Sequence, residues 1–261
     1  MKVEIGNAEI YVQKKGSGTP LLLIHGVPDS ADMWEDVIDG LSNQYTCYAL
    51  DLPGFNRSEL PDNFLFSFEG YGKFINELIL KLDIEQPVTL MLHDWGGIFG
   101  MSFACLYPEK VSRIAGGSFT FSHRYKWHPW ARIWQTPILG ELAMLTMTQA
   151  AFAWDVKRSS PTLSRDHIRQ TFNIYNHWPT KKTVLKLYRS AQPEKFIPFQ
   201  KKLEALVKHV PIDLAWGRND PYVDSKYAAL IHPKSIKLVD NCGHWIPVEA
   251  PMELVGLLST P

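Results

Sequence analysis

Cysteine is scarce in this chain. Cys47, Cys105 and Cys242 are odd in number and far apart, so neither a disulfide framework nor a paired-cysteine metal site can be drawn from them. No charge of either sign dominates. The 27 Lys and Arg balance the 27 Asp and Glu, which leaves no electrostatic footprint for nucleic acid or an anionic membrane. Nor does any apolar run approach the roughly 20 residues that a membrane helix needs. The first residues, Met1 to Gly16, alternate like a strand and carry no apolar signal core. These absences make a cytoplasmic location and small neutral substrates the expectation; the chain is expected to be a monomer or homodimer, which the sequence does not decide.

What is present is a pattern of buried strands. The chain has 261 residues, 45% of them hydrophobic, enough for one large domain with an insertion. Lys2 to Lys14 reads as two short strands turned at Gly6-Asn7. Leu21 to His25, Tyr45 to Leu50, Val88 to His93, Val111 to Ser118, Pro211 to Trp216 and Ser235 to Val239 read as further strands. Helical spacing falls between them, at about Ala31 to Leu41, Phe68 to Leu82, Met101 to Leu106, Asp224 to Ile231 and after Pro251. Such alternation implies a mostly parallel sheet with right-handed crossovers, an α/β fold. From Phe121 to about Gln200 it breaks into a Trp-, Tyr- and Pro-rich stretch without a convincing strand. The expected organisation is a core of residues 1–120 and 203–261, interrupted by a helical cap over 121–202.

One segment bears on chemistry more than any other. In Val88 to Ala104 an apolar strand ends at His93-Asp94-Trp95-Gly96-Gly97. The register Leu92-His93-Asp94-Trp95-Gly96 matches Gly-x-Ser-x-Gly, the sharp strand-to-helix turn that presents a nucleophile, with Asp in place of Ser. The start of the next helix would supply N–H groups and a positive dipole end to keep that carboxylate ionised. Taken alone, Asp94 could equally be an N-cap. Three other segments add weight. His25-Gly26-Val27-Pro28 follows an earlier strand, where the fold places the second donor of an oxyanion hole. Gly217-Arg218-Asn219-Asp220-Pro221 offers a carboxylate, and Asn241-Cys242-Gly243-His244-Trp245 delivers a histidine. Asp-Pro is also an ordinary turn pair.

With these segments in order, the chain resembles the aspartate-nucleophile branch of the α/β-hydrolases, which includes epoxide hydrolases and haloalkane dehalogenases. The resemblance covers essentially the whole chain outside the cap. It implies an attack by Asp94 on an sp³ carbon and an ester that water hydrolyses with His244 as base, oriented by Asp220. The N–H groups of Val27 and Trp95 would form the oxyanion hole. His25, Gly26, Pro28 and His93 would support the two loops. Neither a metal nor an organic cofactor is required, and the partners would be an apolar or aromatic electrophile and water.

Which electrophile depends on the cap's donors. Val184 to Arg189 resembles the Tyr-Arg segment that carries a lid tyrosine in epoxide hydrolases, so Tyr188 is the first candidate donor. The cap segment Leu145 to Val156, where a second tyrosine would be expected, has none, and Tyr175 or Tyr125 would have to serve. For halide, Trp95 matches one indole donor, but Val27 replaces the Asn of many dehalogenases and cannot donate from its side chain. The segment Trp130 to Gly140, with its Thr136-Pro137-Ile138-Leu139-Gly140, and Leu92 in place of a common Gly lean towards dehalogenase-like relatives. The balance favours an epoxide hydrolase, with a haloalkane dehalogenase as the alternative and a slow ligand-binding homologue behind both.

Overall fold

A computed structural model describes residues 1–259. Eight strands form one sheet in the order β1-β2-β4-β3-β5-β6-β7-β8. β1 (Lys2–Ile5) and β2 (Ala8–Lys15) form an antiparallel hairpin turned at Gly6-Asn7, and β2 is antiparallel to β4 (Tyr45–Leu50). All other pairings, through β3 (Thr19–Ile24), β5 (Val88–His93), β6 (Val111–Gly117), β7 (Ile212–Gly217) and β8 (Ser235–Val239), are parallel. The central strands are buried along nearly their whole length, because helices cover both faces of a parallel sheet. β8 is the edge strand and is mostly exposed. It carries Lys237, paired with Glu253, and a charged lysine on an edge strand is a usual defence of an open edge.

The core helices are α1 (Glu35–Leu41), α2 (Phe68–Lys81) and α3 (Trp95–Leu106). The expected helix over Ala31 to Leu41 is split: Ala31–Trp34 is a 3₁₀ turn capped by the Ser30 side chain, and α1 follows. Likewise Ser225–Ile231 is 3₁₀, capped by Asp224. α3 begins six residues before the helical spacing becomes visible. Its early glycines are poor helix formers, but a Cβ on Gly96 would lie 2.0 Å from the Ile24 carbonyl oxygen, so strand and helix can meet only there with glycine.

Six helices then follow without an intervening strand: α4 (Pro129–Gln135), α5 (Leu139–Thr146), α6 (Gln149–Ser159), α7 (Arg165–Asn176), α8 (Trp178–Ser190) and α9 (Pro193–Leu206). This is the helical insertion that the broken alternation implied. The boundary drawn at residue 202 falls inside α9, whose Phe196 and Phe199 pack on Phe68 and Phe121 and tie the cap's exit to the core. The chain closes with α10 (Ile246–Glu249) and α11 (Pro251–Ser259). Among the described residues no helix is long and apolar enough to cross a membrane.

Candidate active site

The turn between β5 and α3 holds Asp94 at φ 49°, ψ −120°, a region costly for any residue but glycine. Asp94 occupies the N-cap position, yet its side chain makes no capping hydrogen bond. Instead Oδ1 accepts the Val27 N–H at 2.7 Å. Gly26 permits that approach, because a Cβ there would sit 2.6 Å from the same oxygen. The Trp95 N–H, the first of α3, makes no hydrogen bond among the described residues. Asp94 is thus bent away from its own helix and held by the loop after β3.

His244, from the loop after β8, brings Nε2 to 3.6 Å from Asp94 Oδ2. Its Nδ1 lies 2.9 Å from Asp220 Oδ2. Asp220 also accepts the Tyr222 and Val223 N–H groups on Oδ1, so it makes the turn and the histidine contact with different oxygens. Burial opposes charge on the imidazole, but Asp220 and then Asp94 outweigh it and push the pKa of His244 up to about 10. Burial alone would raise Asp94, whereas the His244 contact and the Val27 N–H hold it below its ordinary value. The two aspartates face the imidazole from its opposite nitrogens, an arrangement that favours its protonated form.

His93 Nε2 donates to the His244 carbonyl at 2.8 Å. Burial, with the nearby His244 charge, lowers His93 to about 4, so it positions the loop as a neutral ring. In the same way His25 accepts the Leu52 N–H on Nε2 and donates from Nδ1 to the Gly26 carbonyl, pinning the loop that carries Val27.

Above Asp94 a narrow cavity of about 50 Å³ is walled by Val27, Trp134, Phe152, Tyr175, Tyr188 and Tyr222, among others. Two of the three tyrosines expected as donors are there. Tyr188 stands edge-on to Trp95, and burial together with the Asp94 charge keeps its hydroxyl firmly protonated. The Tyr175 hydroxyl is buried without a hydrogen-bond partner. Tyr125 is placed otherwise: its hydroxyl donates to the Tyr222 carbonyl at 2.8 Å, and it does not line the cavity. The indole N–H groups of Trp95 and Trp134 are buried and unpartnered as well. No group of three or more His, Cys, Asp or Glu among the described residues is arranged to hold a metal ion.

The sequence did not single out His128, Asp155 or Tyr222, which also line the cavity. His128 stands immediately before Pro129, a helix-start signal, and its Nδ1 accepts the Ala131 N–H. Tyr222 sits two residues after Asp220, close enough to be carried to the site with it. Nothing local marks Asp155.

Behind the cavity, Asp29 ties three segments together. Its Oδ2 accepts from Trp245 Nε1 and from His167 Nε2 of α7, both at 3.1 Å, and its Oδ1 accepts the Ser30 N–H. Burial opposes both charges, but the pairing raises His167 above 6.5 and lowers Asp29 below 3.8. The His167 contribution is therefore full below pH 6.5 and is lost as pH rises through the folded value. That of Asp29 is present above pH 3.8 and is lost as pH falls through its folded value. Between these limits the latch is strongest. In urea unfolding, the stability advantage of the wild type over His167→Gln should be larger near about pH 6 than near about pH 9. An advantage independent of pH would mean that the pair does not titrate with folding.

Comparison with known proteins places the chain. The α/β-hydrolase fold model matches residues 19–251. The chain belongs to the α/β-hydrolase family. It is 23% identical to a cis-3-alkyl-4-alkyloxetan-2-one decarboxylase of Shewanella oneidensis, over 96% of this chain and 83% of that one. It is 26% identical to a soluble epoxide hydrolase of Corynebacterium sp., over 96% and 92%. With haloalkane dehalogenase 2 of Mycobacterium tuberculosis it shares 23%, over 95% and 90%. Among solved structures, the epoxide hydrolase CorEH superposes with a TM-score of 0.78 at 21% identity, covering 98% of this chain and 95% of that one. At these identities the common ground is a hydrolase of α/β fold.

Proposed function

We propose that the protein hydrolyses epoxides to vicinal diols through a covalent ester on Asp94. The observation that carries this reading is the carboxylate's setting. Asp94 stands on a strained turn with Oδ1 fixed by the Val27 N–H, His244 beside Oδ2, and the tyrosines 175 and 188 on the cavity above it.

The chemistry balances with these groups alone. Oδ2 attacks an epoxide carbon, the carbon–oxygen bond breaks, and the electron pair stays on the leaving oxygen. A buried phenol is a weak acid, but an alkoxide is a stronger base and takes the Tyr188 proton; Tyr175 donates a second hydrogen bond. Ester formation removes the Asp94 charge that helped to hold the His244 proton, so that proton can pass to the phenolate. His244 is then neutral and can deprotonate a water that attacks the ester carbonyl. The tetrahedral oxyanion forms on Oδ1, where Val27 already donates and the Trp95 N–H is free to join. Collapse releases the diol and restores the carboxylate and the imidazolium.

Tyr188→Phe should lower kcat for styrene oxide by about 100-fold, the usual contribution of a positioned acid. Single-turnover kinetics checks it, and an unchanged rate of epoxide opening removes Tyr188 from the mechanism.

A second reading has its own observation. Trp134, whose unpartnered indole lies on the cavity wall, could hold a departing halide, as a haloalkane dehalogenase requires. A parallel assay of styrene oxide and 1-bromobutane decides between them. A third arm should follow carbon dioxide release from a cis-3,4-dialkyloxetan-2-one, because the Shewanella relative is named for that activity. Diol formation is expected; bromide or carbon dioxide alone would overturn the epoxide assignment.

A further inference from the structure

Besides Asp94, His244 and the tyrosine hydroxyls, the cavity wall carries two titratable side chains, His128 and, on α6, Asp155. Asp155 faces the same space as Asp94, and its carboxylate is only half used. Oδ2 accepts from the Tyr222 hydroxyl at 2.8 Å and from Trp130 Nε1 at 3.2 Å. Oδ1 has no hydrogen-bond partner among the described residues. Among the described residues no lysine or arginine pairs with it either. The neighbouring Lys157 donates to the carbonyls of Pro161 and Leu163, and the Arg158 guanidinium lies over the exposed Trp154 ring. Tyr222, which holds Asp155 at its hydroxyl end, lies edge-on to His244 with ring centres 5.0 Å apart. The Tyr222 side chain thus stands between Asp155 and His244, which leaves Asp155 to meet the far end of a substrate seated on Asp94.

We infer that Asp155 recognises that far end, and that the site takes an epoxide whose tail carries a hydrogen-bond donor, an ammonium in preference to a hydroxyl. The inference rests on the epoxide reading above and adds the substrate class. Two physical arguments support the order. A tail without a donor strips water from Oδ1 and leaves a buried acceptor unmet, which is how polar pockets reject isosteres. An ammonium restores the hydrogen bond and neutralises the carboxylate in a cavity lined by the aromatic side chains of Trp130, Trp134 and Tyr222, a setting that favours cations. The two donors already on Oδ2 fix the carboxylate in place, so little ordering is required when the substrate binds.

The test uses three terminal epoxides of equal length ending in methyl, hydroxyl or ammonium, with kcat/KM measured at neutral pH for the wild type and Asp155→Asn. The asparagine keeps an oxygen for Tyr222 and Trp130, so the cap stays tied. The wild type should prefer the ammonium epoxide to the methyl one by about tenfold or more, the scale of a hydrogen bond to a charged group. In Asp155→Asn that ratio should fall towards one. Equal wild-type values, a preference that survives Asp155→Asn, or a uniform loss on all three substrates would overturn the inference; the last is the mark of a purely structural residue. If no epoxide is turned over, the epoxide reading fails and the recognition of donors is decided by calorimetry. Tighter wild-type binding of 2-phenylethylammonium than of 2-phenylethanol, lost in Asp155→Asn, supports the subsite, and equal binding overturns it.

Discussion

Asp94→Asn should reduce steady-state turnover by about 10⁴-fold or more, the loss seen when a nucleophile is removed from a covalent mechanism. An amide has no ionised oxygen to offer an epoxide carbon, and the carboxylate on the other side of His244 is already committed. Asp220 spends one oxygen on His244 and the other on its own turn. The fold should tolerate the change, since Asn can accept the Val27 N–H and takes positive φ more readily than most residues. A near-native circular dichroism spectrum with lost activity is the expected pair of results. Intact mass must exclude deamidation, which would regenerate the aspartate. Undiminished turnover by a verified amide would remove Asp94 from the reaction.

His244→Gln should separate the two halves of the reaction. In the proposed mechanism, opening the epoxide needs Asp94 and the cap donors, whereas releasing the ester needs a base. We expect one equivalent of diol or less, kcat lowered by about 10³-fold or more, and a protein heavier by the mass of one epoxide. The adduct should map to the peptide containing Asp94. Normal multiple turnover without an adduct would mean that water reaches the substrate by another route. The same variant removes the imidazolium facing Asp94, so the carboxylate should lose part of what keeps its pKa low.

The core was legible because its strands obey a local rule. β4 and β5 begin and end at the residues the apolar runs gave, since buried parallel strands read as near-continuous hydrophobic segments. The start of α3 was not, because Gly96 and Gly97 lower helix propensity and are required by contacts with Ile24 and Phe119 that no local pattern displays. In the candidate site, Asp94, Asp220 and His244 each follow a strand of the sheet, so the topology alone brings them together. The cap offered no such rule. Tyr125 and Tyr175 look alike in the sequence, and they part company because the Tyr222 carbonyl captures one hydroxyl while the other is buried without a partner. Asp155 belongs to the same class of problem. Its two donors come from α4 and from the loop after β7, and only the folded chain assembles them.

The most direct measurement is a single turnover in ¹⁸O-labelled water with enzyme in excess over epoxide. An ester on Asp94 predicts that the first diol carries an unlabelled oxygen taken from the carboxylate, and that the label appears in the Asp94 peptide. Direct attack of water on the epoxide predicts a labelled diol and an unlabelled peptide, which would contradict the account at its centre.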